Sequence, residues 1–244
     1  MAVLVTRPRP DDESTASALR ARGFEVLLAP MLRFEPVGFH DDQEARYGAV
    51  IITSANALRG IQSHLEGSRL LKLPLFAVGE HSAAAARGAG FETVIAAKGD
   101  AANLRNLVLA SVKKKPTKAS PLLYLAGADL SRDLAGELGG HGLNVVTQMT
   151  YRMVPVSSLP QETCDAFAAN RVEAVLHYSQ LSARAFLEAV RAAGVEISAL
   201  AIPQCCISAT VASVVRDAGA MQVMVAAAPD ENAVFEALDR ALRS

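Results

Sequence analysis

Tryptophan is absent from this 244-residue sequence, cysteine occurs three times, and aromatic residues make up 5% of the chain. Cys205 and Cys206 are adjacent in an apolar segment and Cys164 stands alone, so neither a disulfide framework nor a metal knuckle is predicted. The net charge is −1, and no stripe of Lys and Arg interleaved with aromatics occurs, which argues against a nucleic-acid partner. No apolar run reaches the roughly 18 residues of a membrane span. The sequence therefore predicts a globular protein without a membrane partner.

Recognisable targeting and cofactor motifs are also missing. The chain enters a strand pattern by Val3, which leaves no room for the charged and apolar regions of an export signal, so we expect a cytoplasmic protein. No G-x-G-x-x-G follows the first strand, no G-x-x-x-x-G-K-[ST] occurs, and no His, Cys or Asp grouping has metal-ligand spacing. A site without cofactor or metal is the expectation.

The sequence contains an internal repeat. Segment 3–37 resembles segment 122–156 without a gap, and both end in R-x-x-P-V. Two further pairs follow, one beginning at Ala49 and Ala174 and the other at Pro74 and Pro203. The offsets between the copies are 119, 125 and 129 positions, a slow growth that loop insertions explain. An internal duplication predicts two similar lobes with a cleft between them.

Short apolar runs alternate with Ala-rich amphipathic stretches, which is typical of βα repeats and parallel sheets. The predicted fold class is α/β, with two flavodoxin-like or Rossmann-like lobes joined by a two-stranded β-ladder. The predicted strands are 2–6, 25–29, 48–53, 75–78, 93–97, 121–125, 144–149, 173–178, 204–208 and 222–226. The predicted helices are 11–22, 55–65, 81–89, 101–112, 130–140, 161–169, 181–193, 210–218 and 231–242.

Two segments, 30–37 and 148–156, extend a strand and then reach proline, which a central strand does not tolerate. We interpret them as crossover segments that form the ladder. One lobe then comprises 1–35 plus 155–244, and the other 38–148. The alternative is two sequential lobes that divide in the Lys/Pro-rich segment 113–121.

Ligands of parallel α/β sheets bind at the carboxyl ends of the strands. Six predicted strand ends carry hydroxyl or small residues just before a helix, where free N–H groups suit carboxylates or phosphates. These are Thr6-Arg7-Pro8, Thr53-Ser54-Ala55-Asn56, Gly79-Glu80-His81-Ser82, Gly127-Ala128-Asp129, Tyr178-Ser179-Gln180 and Ser208-Ala209-Thr210. Ordinary helix capping accounts equally for any one of them.

Other candidate groups are less specific. Of five histidines, only His81 and His177 lie at predicted strand ends, and each is explained as well by packing or surface polarity. Tyr151 lies on the second crossover segment, where a phenol could donate a proton or simply pack. A guanidinium at a strand end or crossover could hold a carboxylate, although each arginine alone is commonly a solvated charge. The arginines so placed are Arg7, Arg33, Arg132, Arg152 and Arg184.

Several motifs occur together in the order of one known family. They are V-L-V-T-R-P at 3–8, T-S-A-N-A at 53–57, A-V-G-x-x-x-A-x-A-A-x-x-x-G-F at 77–91, Tyr151, x-x-Y-S-x-x-S-A at 176–183 and S-x-T-V-A-x-x-x-x-x-x-G at 208–219. Over essentially its whole length the chain resembles the uroporphyrinogen-III synthases. The resemblance implies two α/β lobes joined by a two-stranded ladder, with the N-terminal segment returning to the C-terminal lobe.

The resemblance also implies a substrate and a site. The substrate would be hydroxymethylbilane, a linear tetrapyrrole with eight carboxylates, which the enzyme closes to uroporphyrinogen III with inversion of ring D. Tyr151 would be the general acid for hydroxyl departure. The expected substrate contacts are Thr6, Arg7, Ser54, Asn56, Gly79, Ser82, Gly127, Ser179, Ser182 and Thr210. The sequence departs from the family at His81-Ser82 and at Ala209, which weakens the assignment of His81 and Ser82 as contacts.

Two other functions stay open at this point. One is a non-catalytic two-lobed binding protein for a small anion, and the other is a nucleotide or sugar-phosphate enzyme. No segment reads as an exposed apolar patch, so a monomer is expected. A transient contact with the enzyme that precedes it in the pathway is also expected.

Overall fold

The computed structural model describes residues 1–40, 42, 44–112, 120–130 and 132–243. Its strands and helices alternate along the chain, which confirms the predicted α/β class. The strands are β1 Ala2–Val5, β2 Glu25–Leu28, β3 Leu32–Pro36, β4 Ala49–Ile52, β5 Leu75–Val78, β6 Val94–Ala97, β7 Leu122–Gly127, β8 Val145–Pro155, β9 Val172–His177, β10 Gln204–Cys206 and β11 Val223–Val225. The helices are α1 Asp11–Ala21, α2 Asn56–Arg59, α3 Gly79–Gly88, α4 Ala101–Ser111, α5 Leu134–Gly140, α6 Gln161–Ala168, α7 Gln180–Ala192, α8 Glu196–Ala201, α9 Ala209–Asp217 and α10 Glu231–Arg243.

The strands form two sheets with the same order of corresponding strands. The first sheet runs β2-β1-β9-β10-β11, and the second runs β8-β7-β4-β5-β6 with β3 added beside β8. In the sequence repeat, β1 corresponds to β7, β2 to β8, β9 to β4 and β10 to β5. Each strand therefore occupies the same place in its sheet as its counterpart in the other copy.

The pairing registers also coincide under the sequence offsets. All the neighbouring pairs within each five-strand set are parallel. In the first sheet the partners are Val3 and Val26, Val3 and Ala174, Val175 and Gln204, and Gln204 and Val223. In the second they are Leu122 and Val145, Leu122 and Ala49, Val50 and Leu75, and Leu75 and Val94. Offsets of 119, 125 and 129 convert each pair of the first set into one of the second, so the repeat is a structural equivalence.

The described chain divides into two compact units. Unit 1 comprises Met1–Phe34 and Val154–Ser244, and unit 2 comprises Glu35–Met153. The alternative division within 113–121 falls mostly on residues 113–119, which lie outside the described residues. Each unit has its own sheet covered on both faces by helices, and fully apolar strands such as Ala49–Ile52 are buried along their length.

The two crossover segments differ in continuity. The first is interrupted, because β2 ends at Leu28 and β3 begins at Leu32. The second is a single 11-residue strand, β8. Val37 N donates to Thr150 O over 2.9 Å, and Val156 N donates to Met31 O over 2.9 Å, so the segments run antiparallel. The predicted ladder is thus present as the β3–β8 pair.

One helix prediction is wrong, and one helix was not predicted. The helix predicted over 55–65 is only one turn, α2, followed by short 3₁₀ turns at Gln62–His64 and Arg69–Lys72. Gly60 lies so close to β8 that a Cβ there would be 2.2 Å from Thr150 O, and the chain turns away at this point. Helix α8 was not predicted, because six residues are too few to display a helical period.

No described helix combines the length and apolar character needed to span a bilayer. Cys205 and Cys206 are buried in the first sheet, where desolvation raises the pKa of both thiols to about 12. They are therefore neutral and unreactive at neutral pH.

His177 ends β9 and is fully buried. Its Nε2 lies 2.8 Å from Gln204 Oε1, and the Gln204 amide nitrogen donates to Ala199 O and Ile202 O. The Gln204 oxygen must therefore accept, which places the imidazole proton on Nε2. His177 Nδ1 is buried without a hydrogen-bond partner, and burial lowers the pKa of the imidazole to about 4. The strand-end histidine is a neutral core residue.

This arrangement predicts acid sensitivity. Below about pH 6.5 the unfolded chain protonates His177 while the folded chain resists until about pH 4. The free energy of unfolding should fall across this range, by up to about 1.4 kcal/mol per pH unit. Urea unfolding of the wild type and of His177→Gln between pH 7 and pH 4 measures the difference. Glutamine retains a donor for Gln204, so its stability should vary less with pH, and equal slopes would contradict the assignment.

Candidate functional site

A cavity of about 280 Å³ opens at the carboxyl ends of the strands in unit 2. Strands β4, β5 and β7 contribute their last residues or those just after them, and α4 and α5 contribute their first. The lining residues are Thr53, Ser54, Val78, Ala101, Tyr124, Gly127, Asp129, Leu130, Arg132, Leu134 and Tyr151. This is the position where ligands bind in parallel α/β sheets.

Tyr151 enters the cavity from a β-bulge. Along the β7–β8 pair, Ala126 faces Met149 but Gly127 faces Tyr151, so β8 contains one extra residue. Bulges commonly re-aim a side chain at a strand end. A Cβ on Gly127 would lie 2.7 Å from Tyr151 Cζ and 2.9 Å from its hydroxyl oxygen. The absence of a side chain at Gly127 therefore leaves the space that the half-buried Tyr151 phenol occupies.

A second phenol lies at the base of the cavity. Tyr124 is almost fully buried in β7, and its hydroxyl is 3.1 Å from Thr53 Oγ1. Burial raises the pKa of Tyr124, and the nearby Tyr151 adds to this effect, while the Thr53 hydrogen bond opposes it. Tyr124 is therefore neutral and serves as a hydrogen-bonding group beside Tyr151.

One arginine of the lining is held in place by a carboxylate. Arg132 Nε is 2.5 Å from Glu137 Oε1 and its Nη2 is 2.8 Å from Glu137 Oε2. Arg105 Nη1 donates to the same Oε2 over 2.9 Å. These bonds, with that from Arg132 first, lower the pKa of Glu137. The cluster Arg105–Glu137–Arg132 combines two positive charges with one negative charge.

Comparison with known proteins identifies the family of this chain. A family model described as uroporphyrinogen-III synthase HemD matches residues 13–236, nearly the whole sequence. The chain belongs to the uroporphyrinogen-III synthase family. A comparison with curated proteins gives no significant match.

Solved structures of uroporphyrinogen-III synthases share the fold. The crystal structure from Helicobacter pylori has a TM-score of 0.68 and 18% identity, and the match covers 99% of each chain. A mutant enzyme from Thermus thermophilus has a TM-score of 0.59 and 17% identity, covering 100% of this chain and 99% of that one. At these identities the likeness concerns the fold alone.

The predicted contacts in unit 2 separate into two sets. Ser54, Gly127 and Tyr151 line the cavity together. Asn56, Gly79 and Ser82 follow β4 and β5 at the same sheet edge but do not line it. Asn56 Nδ2 lies 4.0 Å from Met153 Sδ, Gly79 opens α3 with a φ of 72°, and Ser82 is buried.

The predicted contacts in unit 1 lie at the carboxyl edge of the other sheet, and several of their polar groups are already engaged. Thr6 is buried and its hydroxyl donates to Leu176 O over 2.8 Å. Ser179 caps α7 through Ser182 N, and the hydroxyls of Ser179 and Ser182 lie 2.8 Å apart. Thr210 pairs with Ser208 over 3.0 Å between their hydroxyl oxygens.

Arg7 is the most constrained of the predicted contacts. Its guanidinium is 3.1 Å from Glu231 Oε1 and 3.2 Å from Asp11 Oδ2, and it lies 4.4 Å from the centroid of the Tyr178 ring. Two carboxylates of the chain itself thus bind the Arg7 guanidinium, which the sequence analysis had proposed as a ligand contact.

Sequence reasoning did not select Tyr124 as a site residue. The signal was present, because a phenol in the middle of an otherwise apolar strand requires a hydrogen-bond partner. That partner, Thr53, was considered only as part of a strand end. No group of three or more His, Cys, Asp or Glu side chains suited to a metal occurs among the described residues.

Proposed function

We propose that this chain cyclises hydroxymethylbilane to uroporphyrinogen III, with loss of water and inversion of ring D. The family match across residues 13–236 carries this conclusion. It also disfavours the non-catalytic binding protein that the sequence left open. We assign the chemistry to the cavity around Tyr151.

The first step breaks the bond between the terminal methylene carbon and its hydroxyl. Tyr151 donates a proton to the departing oxygen, water leaves with the bonding electron pair, and the adjacent pyrrole becomes an azafulvenium ion while Tyr151 becomes a phenolate. A general acid of this kind contributes roughly 10²–10⁴-fold to the rate. The substituted carbon of ring D then attacks the methylene to give a spiro intermediate, which reopens and recloses through the unsubstituted α-carbon of ring D. That carbon loses its proton, which restores the Tyr151 phenol and leaves ring D inverted.

Orientation of the substrate supplies the rest of the catalytic effect. Hydroxymethylbilane closes unaided to isomer I, so the enzyme must hold the geometry that leads to isomer III. Well-oriented intramolecular reactions gain up to roughly 7–11 kcal/mol. The cavity volume of about 280 Å³ is below the roughly 300–1,000 Å³ of pockets that enclose a drug-sized ligand, so it suits a part of the tetrapyrrole. Tyr124 and Thr53 form the polar base of this part of the site.

The remaining predicted residues act through hydrogen bonds to substrate. In unit 2 these are Ser54, Asn56, Gly79, Ser82 and Gly127. In unit 1 they are Thr6, Arg7, Ser179, Ser182 and Thr210. Because several of these hydroxyls are engaged within their own unit, main-chain N–H groups are the donors that we assign to substrate at Thr6, Ser179 and Thr210. Ser182 is an exception, because its N–H already donates to Ser179 Oγ.

The setting of the reaction follows from the substrate. We propose that the chain acts as a monomer in the cytoplasm, and that it meets the enzyme supplying hydroxymethylbilane transiently. Rapid transfer of hydroxymethylbilane between the two enzymes would leave it less time to close unaided, a reaction that gives isomer I. Sedimentation of the purified chain, alone and with that enzyme, measures both assemblies, and a stable dimer would overturn the monomer.

Ligand protection separates this function from a nucleotide or sugar-phosphate enzyme. Uroporphyrinogen III, kept reduced, should raise the midpoint of thermal unfolding, since a ligand at about 100 times its Kd adds about 2.7 kcal/mol of stability. Protection by nucleotides or sugar phosphates, with none from the tetrapyrrole, would overturn the proposal.

A further inference from the structure

The repeat allows the cavity of unit 2 to be compared with the same place in unit 1. Thr53 of the lining corresponds to Tyr178 by the offset of 125, and Leu134 corresponds to Thr15 by the offset of 119. The second equivalence holds through the helices, because Gly23 and Gly142, also 119 apart, follow α1 and α5 with φ of 89° and 82°.

The N-caps of two helices identify the unit 1 counterpart of a third lining residue, Ala101. Asp100 Oδ1 accepts from Asn103 N at the start of α4, and Asp230 Oδ1 accepts from Ala233 N at the start of α10. The caps are 130 residues apart, one more than the preceding strands, because one residue is inserted before α10. Ala101, the next residue after Asp100, therefore corresponds to Glu231.

The counterparts in unit 1 surround the carboxylate of one of them, Glu231. Thr15 Oγ1 donates to Glu231 Oε1 over 2.5 Å, and Arg7 Nη1 donates to the same oxygen over 3.1 Å. The Arg7 guanidinium lies over the Tyr178 ring. The place that is a cavity in unit 2 thus holds, in unit 1, a carboxylate bound by a guanidinium and a hydroxyl beside a phenol.

Unit 2 has the space and the donors for a carboxylate but no carboxylate at the position of Glu231. The nearby Asp100 carboxylate attracts Arg132, but its Oδ1 accepts from the N–H groups of Ala102 and Asn103. Ala101 stands where Glu231 would project, and Thr53 and Tyr124 supply hydroxyls. Arg132 supplies the guanidinium, with Nε and Nη2 held by Glu137, while the described residues provide no hydrogen bond to its Nη1. An arginine fixed on one edge keeps its other N–H groups for a second acceptor.

We infer that the unit 2 cavity is a carboxylate-binding subsite, in which Arg132 holds a carboxylate of the substrate at the place that Glu231 occupies in unit 1. The inference rests on the proposed function for the identity of the ligand. Arg105 and Glu137 are positioning residues for Arg132. Asp129 also lines the cavity, but its side chain is exposed and solvent screens its charge.

The repeat suggests a direct test, which is to give unit 2 the carboxylate that unit 1 has. Ala101→Glu should fill the subsite from within and raise the KM for hydroxymethylbilane by about tenfold or more, the size expected from loss of a charge-assisted hydrogen bond. Ala102→Glu adds the same charge one position along the helix, outside the cavity lining, and should leave the KM within about twofold. Equal KM values for the two variants would overturn the subsite.

Thermal unfolding gives a readout independent of activity. In the Ala101→Glu background the new carboxylate pairs with Arg132, so Arg132→Met should lower the unfolding midpoint by about 2–4 °C more there than in the wild type. Equal shifts in the two backgrounds would overturn the inference. This result differs from failure of the proposed function, in which the wild type itself would form no uroporphyrinogen III.

Discussion

Replacing Tyr151 by phenylalanine is expected to lower kcat by about tenfold or more and to leave the KM nearly unchanged. The variant keeps the ring beside Gly127 and removes only the hydroxyl that would protonate the departing oxygen. Loss of a general acid commonly costs roughly 10²–10⁴-fold. The smaller expected minimum of about tenfold allows for a substrate that ionises easily. Steady-state formation of uroporphyrinogen III from hydroxymethylbilane measures the change.

Tyr47→Phe provides the matched control. Tyr47 is also in unit 2 and buried, but its hydroxyl contacts Gln148 over 3.5 Å and does not line the cavity. This variant should retain the wild-type kcat. A Tyr151→Phe enzyme that turned over at the wild-type rate would remove Tyr151 from the role of acid, whatever the control did.

Replacing Gly127 by alanine is expected to lower kcat by about tenfold to a hundredfold. The new methyl group would lie 2.7 Å from Tyr151 Cζ, so the phenol must move away from its present place. A displacement of about 1 Å at a reacting group can reduce a rate by roughly 10²-fold. The atoms that give way are the outer end of a side chain, so the free energy of unfolding should fall by only about 1 kcal/mol.

Gly139→Ala is the control for that substitution. Gly139 lies in α5 of the same unit, and nothing within 4 Å opposes a Cβ there. Alanine should stabilise this helix by about 0.5–1 kcal/mol and leave kcat unchanged. If Gly127→Ala retained wild-type kcat, the phenol's position would not matter for the reaction.

Much of the fold was predictable because the repeat carries topological information. The offsets of 119, 125 and 129 were read from letters alone, yet they reproduce strand order and pairing register in both sheets. A register slip of one residue would reverse which side chains are buried, so two copies with one burial pattern keep one register. The glycines that follow α1 and α5 repeat for the same reason.

The sequence predicted the location of the cavity better than it predicted the residues that line it. Three of the predicted site residues, Ser54, Gly127 and Tyr151, line one cavity at the carboxyl ends of the strands, and their contact with substrate stays a prediction. The bulge that turns Tyr151 inward depends on the pairing of β7 with β8, which no local pattern reveals. The early end of α2 at Gly60 depends equally on a contact with Thr150, far along the chain.

The arginines illustrate a further limit. Arg7 and Arg132 were equivalent by sequence, each a guanidinium near a strand end. In the fold Arg7 is held by Glu231 and Asp11, whereas Arg132 shares Glu137 with Arg105 and lines a cavity. Residues 224 positions apart decide the first case, so sequence spacing could not distinguish them.

The most direct test of the account is the isomer composition of the product. Hydroxymethylbilane generated in situ is incubated with the wild-type chain, the products are oxidised, and the porphyrin isomers are separated by chromatography. The account predicts predominantly uroporphyrin III, in excess of the isomer I that forms without enzyme. Isomer I alone, from a sample shown by circular dichroism to be folded, would contradict it.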